Sequence, residues 1–181
     1  MRYSRTVTLK NGKEALIRNG GAEDGEAVFE NFNLTHAQTD FLLSYHDENS
    51  YDPEQEARFL EEKTLSPNEI ELVAVIDGRV AGTAGIEAAG TKYKVRHRAE
   101  LGISILREYW GLGLGRALML ACIECAKTAG YTQLELNAAA ENFRALSLYR
   151  SLGFTEYGRN PRGFNSRLSG YQELVYMRLE L

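Results

Sequence analysis

The sequence predicts a mixed α/β fold: a mostly antiparallel central sheet with helices on both faces, in a single domain spanning 1–181. Three observations carry this. Two hairpin signals, Asn11-Gly12 and Asp77-Gly78, each stand between strand-like runs in the first half of the chain. From Ala99 onward, strand-like runs alternate with segments of helical period. The length of 181 residues, with 44% apolar and 25% charged content, suits one ordinary globular core.

The elements follow in order. Arg5–Leu9 and Glu14–Arg18 flank Asn11-Gly12 and form the first predicted hairpin. After the Gly20-Gly21 turn, Ala22–Thr35 carries Ala27, Val28, Phe29, Phe32 and Leu34 at a helical period. Asp52-Pro53 opens a second helix, with Pro53 in the first turn, where a missing N–H costs nothing. Glu71–Ile76 is a β-branched strand that turns through Asp77-Gly78 into Arg79–Glu87. Lys92–Arg98 leads into the strand Ala99–Ile105, and a glycine loop then opens the helix Arg116–Ala129, ended by Gly130. Thr132–Ala138 is a strand, and Asn142–Leu152 is a helix ended by Gly153. Phe154–Tyr157 and Leu174–Leu179 are the last predicted strands, joined by a polar connection through Asn160-Pro161-Arg162-Gly163. There is no repeat, low-complexity run or linker.

Charge and composition exclude several classes. A net charge of −4 without a basic run argues against a nucleic-acid partner. Met1–Lys10 has no apolar leader core, and no stretch approaches the ~20 apolar residues of a membrane span, so no membrane partner and a cytoplasmic location are expected. Cys122 and Cys125 lie in mid-helix among Leu118, Ala121 and Ala129, which reads as buried thiols rather than a redox pair. His36, His46 and His97 lack metal-ligand spacing, and no metal is expected.

The stretch with the most chemistry is Trp110-Gly111-Leu112-Gly113-Leu114-Gly115, followed by Arg116. Residues without Cβ let a ligand oxygen reach the backbone and accept unusual φ angles. The helix that opens there points free N–H groups and partial positive charge into the loop, which suits a pyrophosphate. No Gly-Lys-Ser/Thr closes the loop, so it is not a P-loop, and its G-x-G-x-G spacing departs from the dinucleotide fingerprint. A glycine-rich turn that only lets a helix pack tightly on a strand is the competing reading.

A second segment, Asn142-Phe143-Arg144-Ala145-Leu146-Ser147-Leu148-Tyr149-Arg150-Ser151-Leu152-Gly153-Phe154, accompanies the loop. With both segments in this order the chain resembles the GNAT (Gcn5-related) N-acetyltransferase superfamily. The later motif, Asn-x-x-Ala-x-x-Leu-Tyr-x-x-x-Gly-Phe, is matched in full by Asn142, Ala145, Leu148, Tyr149, Gly153 and Phe154. The earlier motif departs once, with Trp110 where the family usually has Arg or Gln. The resemblance rests on Ala99–Phe154, and it implies an acyl-CoA N-acyltransferase fold in which two splayed central strands admit acetyl-CoA as co-substrate.

The resemblance implies a role for each matched position. The backbone of Gly111, Leu112, Gly113, Leu114, Gly115 and Arg116 would hold the pyrophosphate. Main-chain groups of Ile103 and Ile105 would pair with the pantetheine arm as a strand edge does. Asn142, Ala145 and Tyr149, at i, i+3 and i+7, share one helix face. In the family the Asn holds cofactor or an ordered water and the Tyr hydroxyl lies near the thioester sulfur, so Tyr149 is the candidate general acid. Trp110 either touches the cofactor or packs under the loop. The Arg116 guanidinium either pairs with phosphate or is solvated.

The base is less determined. Glu100 stands near the place where some family members carry a catalytic Glu, yet a solvated strand-end carboxylate or proton loss through water fits equally. Between Asp40 and Glu62, eight acids stand against Arg58 alone, with Tyr45, His46 and Tyr51 interleaved. They form either an acceptor wall for a cationic amine or a solvated helix face. The expected function is acetyl transfer from acetyl-CoA to a primary amine of a small molecule or peptide, by direct attack in a ternary complex. The alternatives are a non-catalytic acyl-CoA-binding or sensing module on the same fold, and a nucleotide-binding protein using the glycine loop. A homodimer is left open.

Overall fold

The computed structural model describes residues 1–181. Its strands are β1 (Ser4–Thr8), β2 (Glu14–Asn19), β3 (Ile70–Ile76), β4 (Arg79–Ala88), β5 (Arg98–Ile105), β6 (Gln133–Ala139), β7 (Thr155–Ser166) and β8 (Gly170–Glu180). Its helices are α1 (Gly25–Gln38), α2 (Pro53–Leu65), α3 (Leu114–Thr128) and α4 (Phe143–Ser151). One sheet carries all strands in the order β1-β2-β3-β4-β5-β6-β8-β7. Every neighbouring pair is antiparallel except β5–β6. At the β3–β4 turn both Asp77 (φ 50°) and Gly78 (φ 79°) take the left-handed conformation, the geometry that a tight two-residue hairpin requires.

Strand alternation sorts the core onto two faces. Val73 and Val80 pack with Val28 of α1 and Leu60 of α2. Their neighbours Leu72, Ala74 and Ala81 join Leu118, Met119 and Cys122 of α3 in the larger cluster on the other face. Cys122 and Cys125 are free and buried, and burial pushes both thiols up, so they serve as small apolar residues. Asp52 starts α2 by accepting from the Gln55 N–H, while the Gln55 side chain accepts from the Asp52 N–H. No helix is long and apolar enough to cross a membrane.

The C-terminal hairpin differs from expectation. The segment read as a polar connection continues β7 as far as Ser166, and β8 begins at Gly170. The pairing breaks register between Asn160 and Phe164, so Pro161 sits in a bulge of the edge strand, where no ladder N–H is required.

One irregularity positions the site. β5 and β6 pair only from Arg98↔Gln133 to Glu100↔Glu135. Beyond that point β6 stays with β8 as far as Ala139, and β5 stays with β4 as far as Ile105. The sheet therefore opens between its two central strands.

Candidate active site

The open edge of β5 can be read from its hydrogen bonds. The Arg98 carbonyl accepts from Ala89 N–H and the Leu106 N–H donates to Ala81, so even-numbered residues bond toward β4. The His97 carbonyl accepts from Thr132 and Gln133, on the β6 side. Ile103 and Ile105 therefore present their main-chain groups to the gap. The Ile105 carbonyl accepts the Trp110 indole N–H at 2.7 Å. Trp110 thus does two jobs: it ties the glycine loop to the end of β5 and it lines the cleft. The guanidiniums of Arg107 and Arg144 each lie 5.5 Å from its ring centre.

The glycines differ in why they are glycine. Gly111 (φ 79°) and Gly113 (φ 98°) are left-handed, a conformation costly for other residues. Gly113 is the N-cap of α3, so the helix begins at Leu114, two residues before the predicted start. This frees the N–H groups of Leu114, Gly115 and Arg116 as first-turn donors. Gly115 is a packing position: a Cβ there would stand 3.3 Å from Leu148 and 3.4 Å from Ile105. Tight packing thus accounts for Gly115, while backbone angle accounts for Gly111 and Gly113. Leu112 and Leu114 turn their side chains to the core, leaving only main chain for a ligand, and the Leu112 carbonyl already accepts from Lys10 N–H at 3.0 Å. Arg116 stands at the rim and donates to the Ser151 hydroxyl at 3.1 Å.

The facing wall is α4. The Asn142 side-chain oxygen caps it, accepting from Ala145 N–H at 3.2 Å, which leaves its NH₂ for other partners. Ala145, Leu148 and Tyr149 turn toward β5, and with Ile103, Ser104 and Ile105 they line a cavity of about 510 Å³. Tyr149 is 7% exposed, and burial alone pushes its phenol up to about 12. Its hydroxyl has no protein partner and stays protonated at neutral pH as a free donor at the cleft. Arg144 and Lys10 also line this cavity. Sequence reasoning passed over both. Arg144 lay within the quoted second motif, while Lys10 arrives only through the folding of the first hairpin.

Glu100 is placed elsewhere. It is exposed on β5, faces Glu87 of β4 and Glu135 of β6, and lines neither the cleft nor its neighbour. Its position gives no support to the expected role as base. Half of the eight acids in the acidic segment, Asp40, Asp47, Glu48 and Asp52, are engaged with other groups. Asp40 accepts from Ser166, Ser169, Tyr45 and Gln172, and Asp47 pairs with Arg167 at 2.7 Å. A second cavity, of about 420 Å³, adjoins the cleft at Ser104 on the α1–α2 face of the sheet.

The profile of the Acetyltransferase (GNAT) family matches residues 33–154, which include the glycine loop and the whole of α4. The chain belongs to that family. A GNAT-family acetyltransferase from Streptococcus pneumoniae superimposes with a TM-score of 0.88 at 30% identity, covering 92% of this chain and 99% of that one. The Escherichia coli L-amino acid N-acyltransferase MnaT is 26% identical over 165 residues, 91% of this chain and 93% of its own length. The Salmonella typhimurium acetyltransferase yncA, solved with its cofactor acetyl-CoA, shares the fold at a TM-score of 0.80 and 24% identity, covering 92% of this chain and 94% of that one.

Proposed function

We propose that this GNAT-family protein transfers an acetyl group from acetyl-CoA to a primary amine by direct attack. The observation that carries this reading is the gap between β5 and β6. It leaves a strand edge at Ile103 and Ile105, opposite a buried Tyr149 and beside the free N–H groups that start α3. The residues present fit the group. The N–H donors of Leu114, Gly115 and Arg116 suit a pyrophosphate. Lys10, Arg116 and Arg144 line the same cavity and suit its charge. Ile103 and Ile105 offer amide pairing to a pantetheine arm, and Asn142 offers its free NH₂.

When bound, the thioester supplies an activated acetyl carbonyl. Attack forms the N–C bond and breaks the C–S bond. The ammonium loses one proton before attack, and the amide nitrogen loses a second that ends on sulfur. Tyr149 donates a hydrogen bond to the sulfur as negative charge builds there. With its phenol near 12, it acts by hydrogen bonding more than by giving up its proton. The test is free-thiol release from acetyl-CoA over a panel of amines, with acetylated product identified by mass. Thiol release matched by acetyl-amine is expected. Tight binding of CoA without turnover on any amine would favour the sensing-module reading instead.

A further inference from the structure

The second cavity carries chemistry that the acetyl-transfer reading does not use. It lies between α1, α2 and the sheet, with Phe32 and Phe59 on its helical side and Glu71, Thr83 and Ser104 on the strands. Three carboxylates line it: Glu56 from α2, Glu71 from β3 and Glu48, the last paired with Arg167 at 3.4 Å. Glu56 is 7% exposed, makes no hydrogen bond or ion pair with its side chain, and is raised by burial alone. An unpartnered carboxylate buried to that degree is costly unless something brings it a positive charge. Glu71 lies flat across Gly85, where any Cβ would overlap its carboxylate oxygen.

No Lys, Arg or His is among the 12 lining residues. Lys63, whose charge reaches Glu71, is paired with Glu69 at 2.8 Å and Glu87 at 2.7 Å. Burial pushes Glu71 up to about 8, with Glu56 of α2 and Glu87 of β4 raising it further and Lys63 and Thr83 opposing. The two acids therefore share the cavity with less than their full negative charge, as like charges at close quarters must. Ser104 lines both cavities, and its hydroxyl is 3.5 Å from that of Thr83, which pairs with Val73 in the sheet and hydrogen-bonds the Glu71 carboxyl.

We propose that this cavity is the acceptor pocket and that Glu56 and Glu71 select a small cationic amine carrying no carboxylate. The inference rests on the acetyl-transfer reading and narrows its substrate. The ammonium sits against the two carboxylates and its apolar body against Phe32 and Phe59. An α-carboxylate would meet Glu56 and Glu71 with no cation among the lining residues to offset them. This separates the chain from its relative named for L-amino acids. Binding of the ammonium lets Glu71 ionise and release a proton to solvent. Glu71 then takes one ammonium proton, freeing the nitrogen lone pair for the thioester at the Ser104 end.

The experiment compares amines matched except for an α-carboxylate: putrescine with ornithine, tyramine with tyrosine, agmatine with arginine. Turnover is read as free thiol, and binding in the presence of CoA is read by calorimetry in buffers of different ionisation enthalpy. We expect the carboxylate-free member to be favoured by roughly tenfold or more in kcat/KM. Glu56→Gln and Glu71→Gln should each raise the amine KM by about tenfold or more while leaving the acetyl-CoA KM within about twofold. Proton release on amine binding near neutral pH should vanish in Glu71→Gln. Equal or better use of the carboxylated members, or parent amine KM in both variants, overturns the pocket assignment and leaves acetyl transfer standing. If no amine is acetylated and none binds, both readings fall. If amines bind with proton release but are never acetylated, only acetyl transfer falls.

Discussion

The two cavities meet at Ser104 and are built in opposite ways. The larger cleft, proposed to hold acetyl-CoA, is built around main chain: a strand edge left open by the splay, two left-handed glycines and the first turn of α3. The smaller cavity is made of side chains from α1, α2, the connection between them, β3, β4 and β5, with no shared motif. Main-chain recognition fits a ligand part common to a whole family. Side-chain recognition is free to change from one member to the next, and the choice of amine is located there.

The largest effect that sharpens this contrast is expected at Tyr149. Tyr149→Phe keeps the ring and its packing and removes only the donor. Both kcat and kcat/KM should fall about 10²-fold, the cost of losing one donor aimed at developing charge. Acetyl-CoA affinity should not change, and because the phenol titrates only near 12, it should add no basic limb to the rate profile in the neutral range. A kcat within about twofold of the parent would make Tyr149 a packing residue.

A second expectation separates the glycines. Gly115→Val forces methyl groups against Leu148 and Ile105, and such overpacking costs about 1–3 kcal/mol of stability. Denaturant unfolding reads this directly, and an unchanged midpoint would remove the packing role.

Stability against pH probes the other cavity. Glu71 titrates at about 8 in the folded chain and near 4.5 otherwise. Between those values the folded chain keeps a proton that the unfolded chain has released. Its contribution to stability is therefore present at low pH and is lost as pH rises toward 8. Glu71→Gln should flatten that slope by at least about 1.4 kcal/mol, the worth of one pKa unit, in urea midpoints compared at about pH 5 and about pH 9. Parallel curves for parent and variant would show that Glu71 is not perturbed.

The smallest effect is expected outside both cavities. Asp47 is half-exposed and paired with Arg167. Exposed pairs of this kind contribute about 1 kcal/mol or less to stability, and Asp47 lines neither cavity, so Asp47→Asn should change the amine KM less than about twofold. A larger change in steady-state assays would return the exposed acids to the acceptor site.

What was legible in the sequence follows the same division. Gly111, Gly113 and Asn142–Phe154 mark a main-chain site with local signals, because a backbone need constrains neighbouring residues at fixed spacing. The start of α3 at Leu114 was misplaced because Gly115 looks like loop and is helix. The reach of β7 was missed because Pro161 and Gly163 signal a turn, and a bulge in an edge strand satisfies the same residues. The splay leaves no local trace, since it depends on β6 following β8 rather than β5. Glu71 was hidden at the start of a segment read only as a β-branched strand. Its alternation with Val73 on the α1–α2 face was the available signal. Glu56 was counted among eight acids, and only the fold distinguishes it from its solvated neighbours.

The central proposal for this molecule is that the main chain of the loop holds the pyrophosphate of acetyl-CoA. Gly113→Asn tests it, because Asn tolerates the left-handed conformation and the space beside Gly113 is open, so the fold should survive. The side chain would then stand in the mouth of the cleft. Calorimetric titration with acetyl-CoA should show affinity weakened roughly tenfold or more, about the worth of a hydrogen bond to a charged group, with an unchanged unfolding midpoint. An acetyl-CoA Kd equal to that of the parent would contradict the claim and move the cofactor off the loop.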